Sequence, residues 1–223
     1  MDVVKAMLAR HSVRDFKPDP VAKETILKVL EAATRSPSSG NGQPWEIFVS
    51  SGEVLEKIRQ AYFDRFEKNV PGKPEFASAH PNHWPPAMQE RMDKQRTERW
   101  KLQGIDPQDK GAIRASMEKG SGFFGAPVLV VLCVERAMSI SSAFDIGLLT
   151  QSILLAAQNF GLGSIVAMGF VTHPDILRKE LAIPDNLQIV IGVALGYPNT
   201  KSIINTYRSS RRPIQEVVTF KGL

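Results

Sequence analysis

Val128-Leu129-Val130-Val131-Leu132-Cys133-Val134 is a run of seven apolar residues, four of them valine. A run of this length and β-branched character reads as a buried strand. It is far short of the roughly 20 apolar residues that a membrane span needs, so no membrane segment is expected. Downstream, Ser142 and Asp145 stand three apart and resemble a capping box with a shorter acid. The helix they would open runs to about Phe160 and is apolar nearly all round: Phe144, Ile146, Leu148, Leu149, Ile153, Leu154, Leu155 and Ala157. Such a helix belongs at the centre of a fold or in an interface. Gly161 and Gly163 end it. Ser164–Met168 reads as a strand, Thr172, Pro174 and Asp175 start a short helix to Leu181, and Leu187–Leu195 reads as a further strand. From Thr200 the chain is polar and rich in arginine, then ends in Val217-Val218-Thr219-Phe220.

Upstream of the run, Gly120-Ser121-Gly122-Phe123-Phe124-Gly125 fits the spacing GxGxxG. In a dinucleotide-binding unit that loop follows a strand and opens a helix, so that backbone N–H groups meet a pyrophosphate. Here the order is reversed: a charged segment precedes it, and Pro127 and the β run follow. The match reads as a flexible entry into a strand, with Phe123 and Phe124 as packing residues. Residues 67–120 differ from the rest. Pro71, Pro74, Pro81, Pro85 and Pro86 punctuate the first part, and a charged stretch follows from Gln89 to Lys101. The apolar content is too thin for a separate core, so this reads as a loop-plus-helix insertion within one domain spanning 1–223. Further back lie a helix over Glu53–Phe66 and a short strand over Glu46–Ser50. Asp19-Pro20 has the N-cap and N1 chemistry to open a helix whose face is Ala22, Ile26, Leu30 and Ala33. Asp2 can cap a short first helix. Helices and strands in this order imply helices packed on one central sheet.

Composition excludes whole classes. The chain has 223 residues, 43% hydrophobic and 23% charged, which suits an ordinary globular protein and rules out wholesale disorder. One cysteine, Cys133, excludes an intramolecular disulfide and reads as a buried, inert thiol. Met1-Asp2-Val3-Val4-Lys5 has an early acid and no long apolar core, so no secretory signal is expected and the reducing cytoplasm is the expected compartment. The net charge of +5 suits an anionic ligand or a nucleic acid without choosing between them. A nucleic-acid footprint would be a basic stripe with interleaved aromatics. Asp93 and Glu98 interrupt the basic residues of 91–101, so no nucleic-acid partner is expected.

Two stretches carry candidate chemistry. Arg10-His11-Ser12-Val13-Arg14-Asp15-Phe16 puts Arg10, Ser12 and Arg14 at alternate positions, on one side of an extended segment. Two guanidinium forks and a hydroxyl make an anion cradle; a solvated basic loop is the plainer reading. Arg208, Arg211 and Arg212 form a second basic cluster near the other end. Ser38, Ser39, Asn41 and Gln43 offer donors and acceptors, while Gly40 and Gly42 let the backbone approach a flat ligand, or form an ordinary turn. His80 and His83 lack a third nearby ligand, so no metal site is expected.

Taken together, five separated stretches resemble the nitroreductase family of flavoproteins: Arg10–Phe16; Ala32–Trp45; Asp145 with the apolar helix, Gly161–Ser164 and Gly169-Phe170; Gly192–Pro198; and Arg211-Arg212-Pro213. The resemblance covers nearly all the chain outside the insertion. It implies an α+β nitroreductase-like fold, with a central mixed or antiparallel sheet flanked by helices, in an intertwined homodimer. It implies non-covalent FMN, NADH or NADPH as reductant, and a small aromatic acceptor, a nitroaromatic or quinone, reduced by a ping-pong cycle without a catalytic side chain. By the same resemblance Arg10, Ser12 and Arg211 meet the FMN phosphate, His11 lies along the ribityl chain and Arg14 reaches the pyrimidine end. Pro37, Ser38, Ser39 and Asn41 come from the partner subunit, Gln43 sits near the ribityl or ring edge, and Met168 and Gly169 offer backbone groups near the ring. The insertion, with Phe76, Trp84 and Trp100, would set acceptor choice or merely pack down. Rival readings are a reductive dehalogenase-like or flavin-fragmenting member of the same fold, and a non-catalytic flavin-binding protein.

Overall fold

The computed structural model describes residues 2–76, 84–138 and 140–222; His80, Pro81 and His83 lie outside these residues. The apolar run forms β2 (Val128–Glu135), the inner strand between β1 (Trp45–Ser51) and β4 (Leu187–Gly196); β3 (Gly163–Ala167) lies beyond β4. All three strand pairings are antiparallel, and the register slips once between Leu132 and Cys133.

The run lacks polar alternation because both of its faces are covered. Leu129, Val131 and Cys133 pack with Leu55, Ile58 and Tyr62 of α3 (Gly52–Glu67) and with Ile176 and Leu177 of α7 (Pro174–Leu181). Val128, Val130, Leu132 and Val134 pack on the other side with Ile26, Val29 and Ala33 of α2 (Lys23–Ala33) and with α6 (Ile140–Asn159). Each such aliphatic side chain contributes about 1.5–3 kcal/mol of burial, which locks the period-2 register against slippage. Along α6, Ile146, Leu149, Ile153, Leu154 and Ala157 are buried, whereas Phe144 is 70% exposed. The helix therefore carries an apolar side chain on a face that the described residues do not cover.

Three sequence expectations are corrected. Asp19-Pro20 does not open α2, which begins at Lys23 after Ala22 with no side-chain cap. Packing of Val21 and Ile26 on the sheet, rather than local capping chemistry, sets where the turns begin. Ser142 and Asp145 lie inside α6, not at its start, and both are buried. Ser164–Met168 is one residue out: the strand is Gly163–Ala167, and Met168 begins a tight 3-10 turn to Val171. At the N-terminus Asp2 does cap α1 (Val3–Ala9), accepting the Lys5 N–H at 3.0 Å.

The charged stretch is α4 (Pro86–Gln103), with no fully buried residue, followed by α5 (Lys110–Ser121). Gly120–Gly125 is the end of α5 and a tight turn into β2, consistent with a strand entry. Phe123 and Phe124 both take left-handed backbone angles there, and Phe123 is wholly buried against Tyr62 and Phe170. Among the described residues no helix is long and apolar enough to cross a membrane.

Candidate active site

The N-terminal arginines are placed by a short extended segment laid beside β3. Ser12 bridges to Ser164, and the Val13 N–H donates to the Ser164 carbonyl at 3.0 Å. Val13 and Phe16 are buried, while Arg10, Ser12 and Arg14 are half-buried. The approach is possible because residue 163 is glycine. A Cβ there would stand 2.6 Å from Val13 Cγ2 and 2.8 Å from Pro198 Cγ. Gly163 was read from sequence as a helix terminator, but its role is this close contact.

A residue that sequence reasoning missed holds the segment from the other side. Asn205 is buried; its Oδ1 accepts the Arg14 N–H at 2.8 Å, and its Nδ2 donates to the carbonyls of Asp15 (2.7 Å) and Asn199 (3.0 Å). The Asp15 carboxylate accepts from Ser202 Oγ at 2.7 Å and Asn199 Nδ2 at 3.3 Å. Residues near position 200 thus fix the backbone that carries Arg14. No local pattern announces a contact across about 190 residues.

The site is electrostatically unfinished. Burial, and then the neighbouring Arg211 charge, hold Arg10 below the ordinary guanidinium range. Burial lowers His11 too, with the charges of Arg208, Arg10 and Arg14 adding to it against the Ala9 carbonyl. Arg14 is pulled down to about 10, first by burial and then by Arg99 of α4. Among the described residues no carboxylate makes an ion pair with Arg10, Arg14, Arg99, Arg208 or Arg211. Among the described residues Arg211 hydrogen-bonds only to Ser209 and to the Ser210 carbonyl. Arginines from the two ends of the chain therefore converge with no carboxylate of the described residues paired to them.

The second motif is a preformed loop on α6. Ser36 Oγ meets Ser152 Oγ at 2.6 Å, and Asp145 accepts the Ser39 N–H at 3.3 Å. This use of Asp145 replaces the capping role read from sequence. Ser38 Oγ accepts the Gln43 N–H at 2.9 Å, and Gly40, Asn41 and Gln43 have left-handed angles. Pro37, Ser39, Asn41 and Gln43 are exposed and Ser38 is half-buried. None of the five lines the cavities that hold Arg14, Met168 or Gly169.

Those cavities meet at α5 and the turn after it. One of about 680 Å³ contains Arg14, Arg99 and Trp100. One of about 440 Å³ contains Gly169, Tyr62 and His173. Both have Met117, Gly120 and Phe124 in their walls, so the cavities of Arg14 and Gly169 adjoin there. Phe124 stands between them on a strained left-handed backbone, a feature that concentrates at functional sites. Met168 lies in a third cavity of about 330 Å³, with Phe76 and residues of α6. The Gly169 carbonyl accepts from Thr172 Oγ1 at 3.1 Å, which steadies the turn. Of the insertion aromatics, Trp100 and Phe76 line cavities and Trp84 is half-buried.

The fold and these motifs define a class. The nitroreductase family model matches residues 7–197, and the chain belongs to that family. Among its relatives, the chloronitrobenzene nitroreductase of Comamonas testosteroni is 31% identical over 95% of this chain and 93% of its own length. Among solved structures, the FMN and NADPH-dependent nitroreductase NfnB from Sphigopyxis sp. strain HMH superposes with a TM-score of 0.94 at 27% identity, covering 100% of both chains. The FMN-dependent nitroreductase NfnB from Mycobacterium smegmatis, in complex with NADPH, gives 0.90 at 25% identity, covering 99% of this chain and 100% of that one.

Proposed function

We propose that the protein is an FMN-dependent oxidoreductase that reduces nitroaromatic and quinone-like acceptors with NADH or NADPH. The observation that carries this reading is Arg10 beside Arg211, two half-desolvated or exposed guanidiniums without a carboxylate partner. Like charges gathered in this way seat a phosphate, which takes guanidinium forks through charge-assisted hydrogen bonds. Ser12 adds a hydroxyl on the same extended segment, and His11 lies between the clusters. FMN held there by Arg10, Ser12 and Arg211 would supply reversible two-electron chemistry between NAD(P)H and the acceptor.

The chain's residues then bind and tune. Arg14, steadied by Asn205, holds a fixed cation for the pyrimidine end of the ring, where it favours the electron-rich state. Gly169 offers main-chain groups in the cavity that adjoins that of Arg14, and Met168 offers its own from the separate cavity beside α6. Pro37, Ser38, Ser39, Asn41 and Gln43 act from a second copy, because in their own chain they lie apart from these cavities. The uncovered Phe144 face of α6 and Leu8 of α1, 80% exposed, suit that homodimer. One cleft serves reductant and acceptor in turn, a ping-pong order, and no side-chain nucleophile or general acid is needed. The insertion is a lid within a single domain, and the cytoplasm is the proposed compartment.

The purified protein is expected to be yellow, to release FMN on denaturation, and to give parallel double-reciprocal lines for NAD(P)H against a nitroarene. A colourless preparation that takes up no added FMN overturns the reading. Light scattering checks the dimer.

A further inference from the structure

The insertion brings a cation of its own into the cavity of Arg14. α4 is polar all round, yet it places Arg99 and Trp100 in the wall of the 680 Å³ space, opposite Ile113 and Met117 of α5 and beside Phe124. Four cations line this cavity, Arg14, Arg96, Arg99 and Lys119, against one carboxylate, Asp15. Asp15 is occupied by Ser202 and Asn199, and Arg96 is paired with Asp93. Glu98, the neighbour of Arg99, accepts the Tyr207 hydroxyl at 2.8 Å, which ties α4 to the segment after Asn205. Among the described residues Arg99 has no ion-pair partner, and its Nε is shut off from solvent with no hydrogen-bond acceptor. A buried donor on a charged group is normally satisfied. A nitrogen closed to water is closed to a ligand as well, so what an entering anion can meet is the rest of this guanidinium, which lines the cavity.

We propose that Arg99 is a specificity-determining residue, which receives the carboxylate of a planar aromatic acceptor while Trp100 and Phe124 hold the ring. This rests on the proposed flavin-dependent reduction and adds the substrate class: aromatic acids over neutral aromatics. The cavity's make-up supports it. A carboxylate takes an Arg fork through two parallel hydrogen bonds. The apolar walls suit a ring. The space also adjoins the cavity of Gly169 at Met117, Gly120 and Phe124, so a molecule held at Arg99 borders the proposed reaction site. Arg14 is held down first by burial and then by the charge of Arg99, so the two guanidiniums stand near one another in this cavity.

The test compares wild-type holoenzyme with Arg99→Gln and Arg99→Lys on a matched pair, 4-nitrobenzoate and nitrobenzene, with both NADH and NADPH. FMN content is measured alongside. Loss of a charge-assisted fork should cut kcat/KM for 4-nitrobenzoate at least tenfold more than for nitrobenzene in Arg99→Gln, chiefly through KM. Arg99→Lys should recover part of the difference. Calorimetric binding of 4-aminobenzoate, which does not turn over, should weaken about tenfold in Arg99→Gln, with aniline as the neutral control. An equal fall for both acceptors together with lost FMN would assign Arg99 to the cofactor and overturn the proposal. A changed NADPH-to-NADH ratio alone would assign it to the reductant and also overturn it, as would no difference from wild type. If wild type holds no FMN and reduces neither acceptor, the flavin reading itself fails, and this one with it; a yellow wild type that reduces both acceptors equally well, with Arg99→Gln unchanged, sinks only the substrate class.

Discussion

Arg178 and Arg10 are both guanidiniums on the same small molecule, and their surroundings are opposite. Arg178, on α7, forks onto Glu75, with Nε to Oε1 at 2.7 Å and Nη2 to Oε2 at 2.9 Å, and it also donates to the Ile183 and Pro184 carbonyls. Glu75 accepts in addition from the Ile189 N–H at 2.9 Å and pairs with Arg136 at 3.1 Å. Every strong group there is answered from within the chain, and the hydrogen bond to Glu75 raises Arg178 above its ordinary range. Arg10 is lowered, first by burial and then by its neighbour, a second arginine, Arg211. The paired arginine fastens the entry of the insertion to β4. The other, unpaired among the described residues, leaves a positive field for a ligand to answer. Pairing, not charge alone, separates the structural arginine from the one proposed to bind a phosphate.

The comparison breaks most visibly at Glu75. Glu75→Ala leaves Arg178 and Arg136 without their carboxylate at a place where the Glu75 and Arg178 side chains are only 14% and 16% exposed. Removing one partner of a buried pair costs about 3–5 kcal/mol, and the slight exposure here argues for the lower end. Urea denaturation should show a loss of about 3 kcal/mol, with FMN affinity of the folded protein unchanged. Arg10→Ala should do the reverse. It deletes charge-assisted bonds of about 1.5–3 kcal/mol to a phosphate, so FMN binding weakens by roughly 10- to 100-fold while the flavin-free protein is as stable as wild type or slightly more so. If Arg10→Ala destabilises the flavin-free protein as Glu75→Ala does, the division between the two regions is wrong.

A smaller effect is the acid response of the paired region. Burial alone would raise the Glu75 carboxyl, but the Arg178 and Ile189 hydrogen bonds and the Arg178 and Arg136 charges outweigh it and hold it below the ordinary range. The folded protein therefore gives up this proton more readily than the unfolded chain. The stabilisation is complete above the unfolded carboxyl's value of about 4.3 and drains away as pH falls through the lower folded value. Wild type should lose stability below about pH 4.5 more steeply than Glu75→Gln. Parallel curves for the two proteins would show that the carboxylate contributes nothing through its charge.

The two regions also differ in how much of them the sequence disclosed. The strand at Val128–Val134 and, on the helix face, Ile26 and Ala33 were legible because burial on a period of two or 3.6 writes itself into neighbouring residues, although Ala22 of that face is exposed and Leu30 half-buried. The alternation of Arg10, Ser12 and Arg14 was legible for the same reason, as was the glycine-rich turn at residues 38–43. Capping signals were weaker guides: Asp19 and Ser142 each carry good cap chemistry, and packing overrode both. What stayed hidden was the long-range polar wiring. The Asn205 clamp on Arg14 and Asp15, the approach of Arg99 to Arg14, and the Glu75–Arg178 fork span between about 85 and 190 residues of chain. Nothing in the local pattern of an exposed polar stretch says which distant group it will meet.

Cys133 offers the finest probe of the contrast. It lies in β2 with no exposed surface, on the face packed against α3 and α7. Burial pushes its thiol up to about 12, and its electrostatic neighbours include Arg178 and Glu75. The thiolate is the reactive form, so at pH 8 a disulfide reagent should label native protein only as fast as the sheet opens. Labelling therefore reports on the paired region without touching the unpaired one. Glu75→Ala should speed it in proportion to the lost stability, whereas Arg10→Ala should leave the rate within about twofold of wild type. Equal acceleration in both would mean that Arg10 supports the core after all, and that its missing partner is a structural group rather than a bound phosphate.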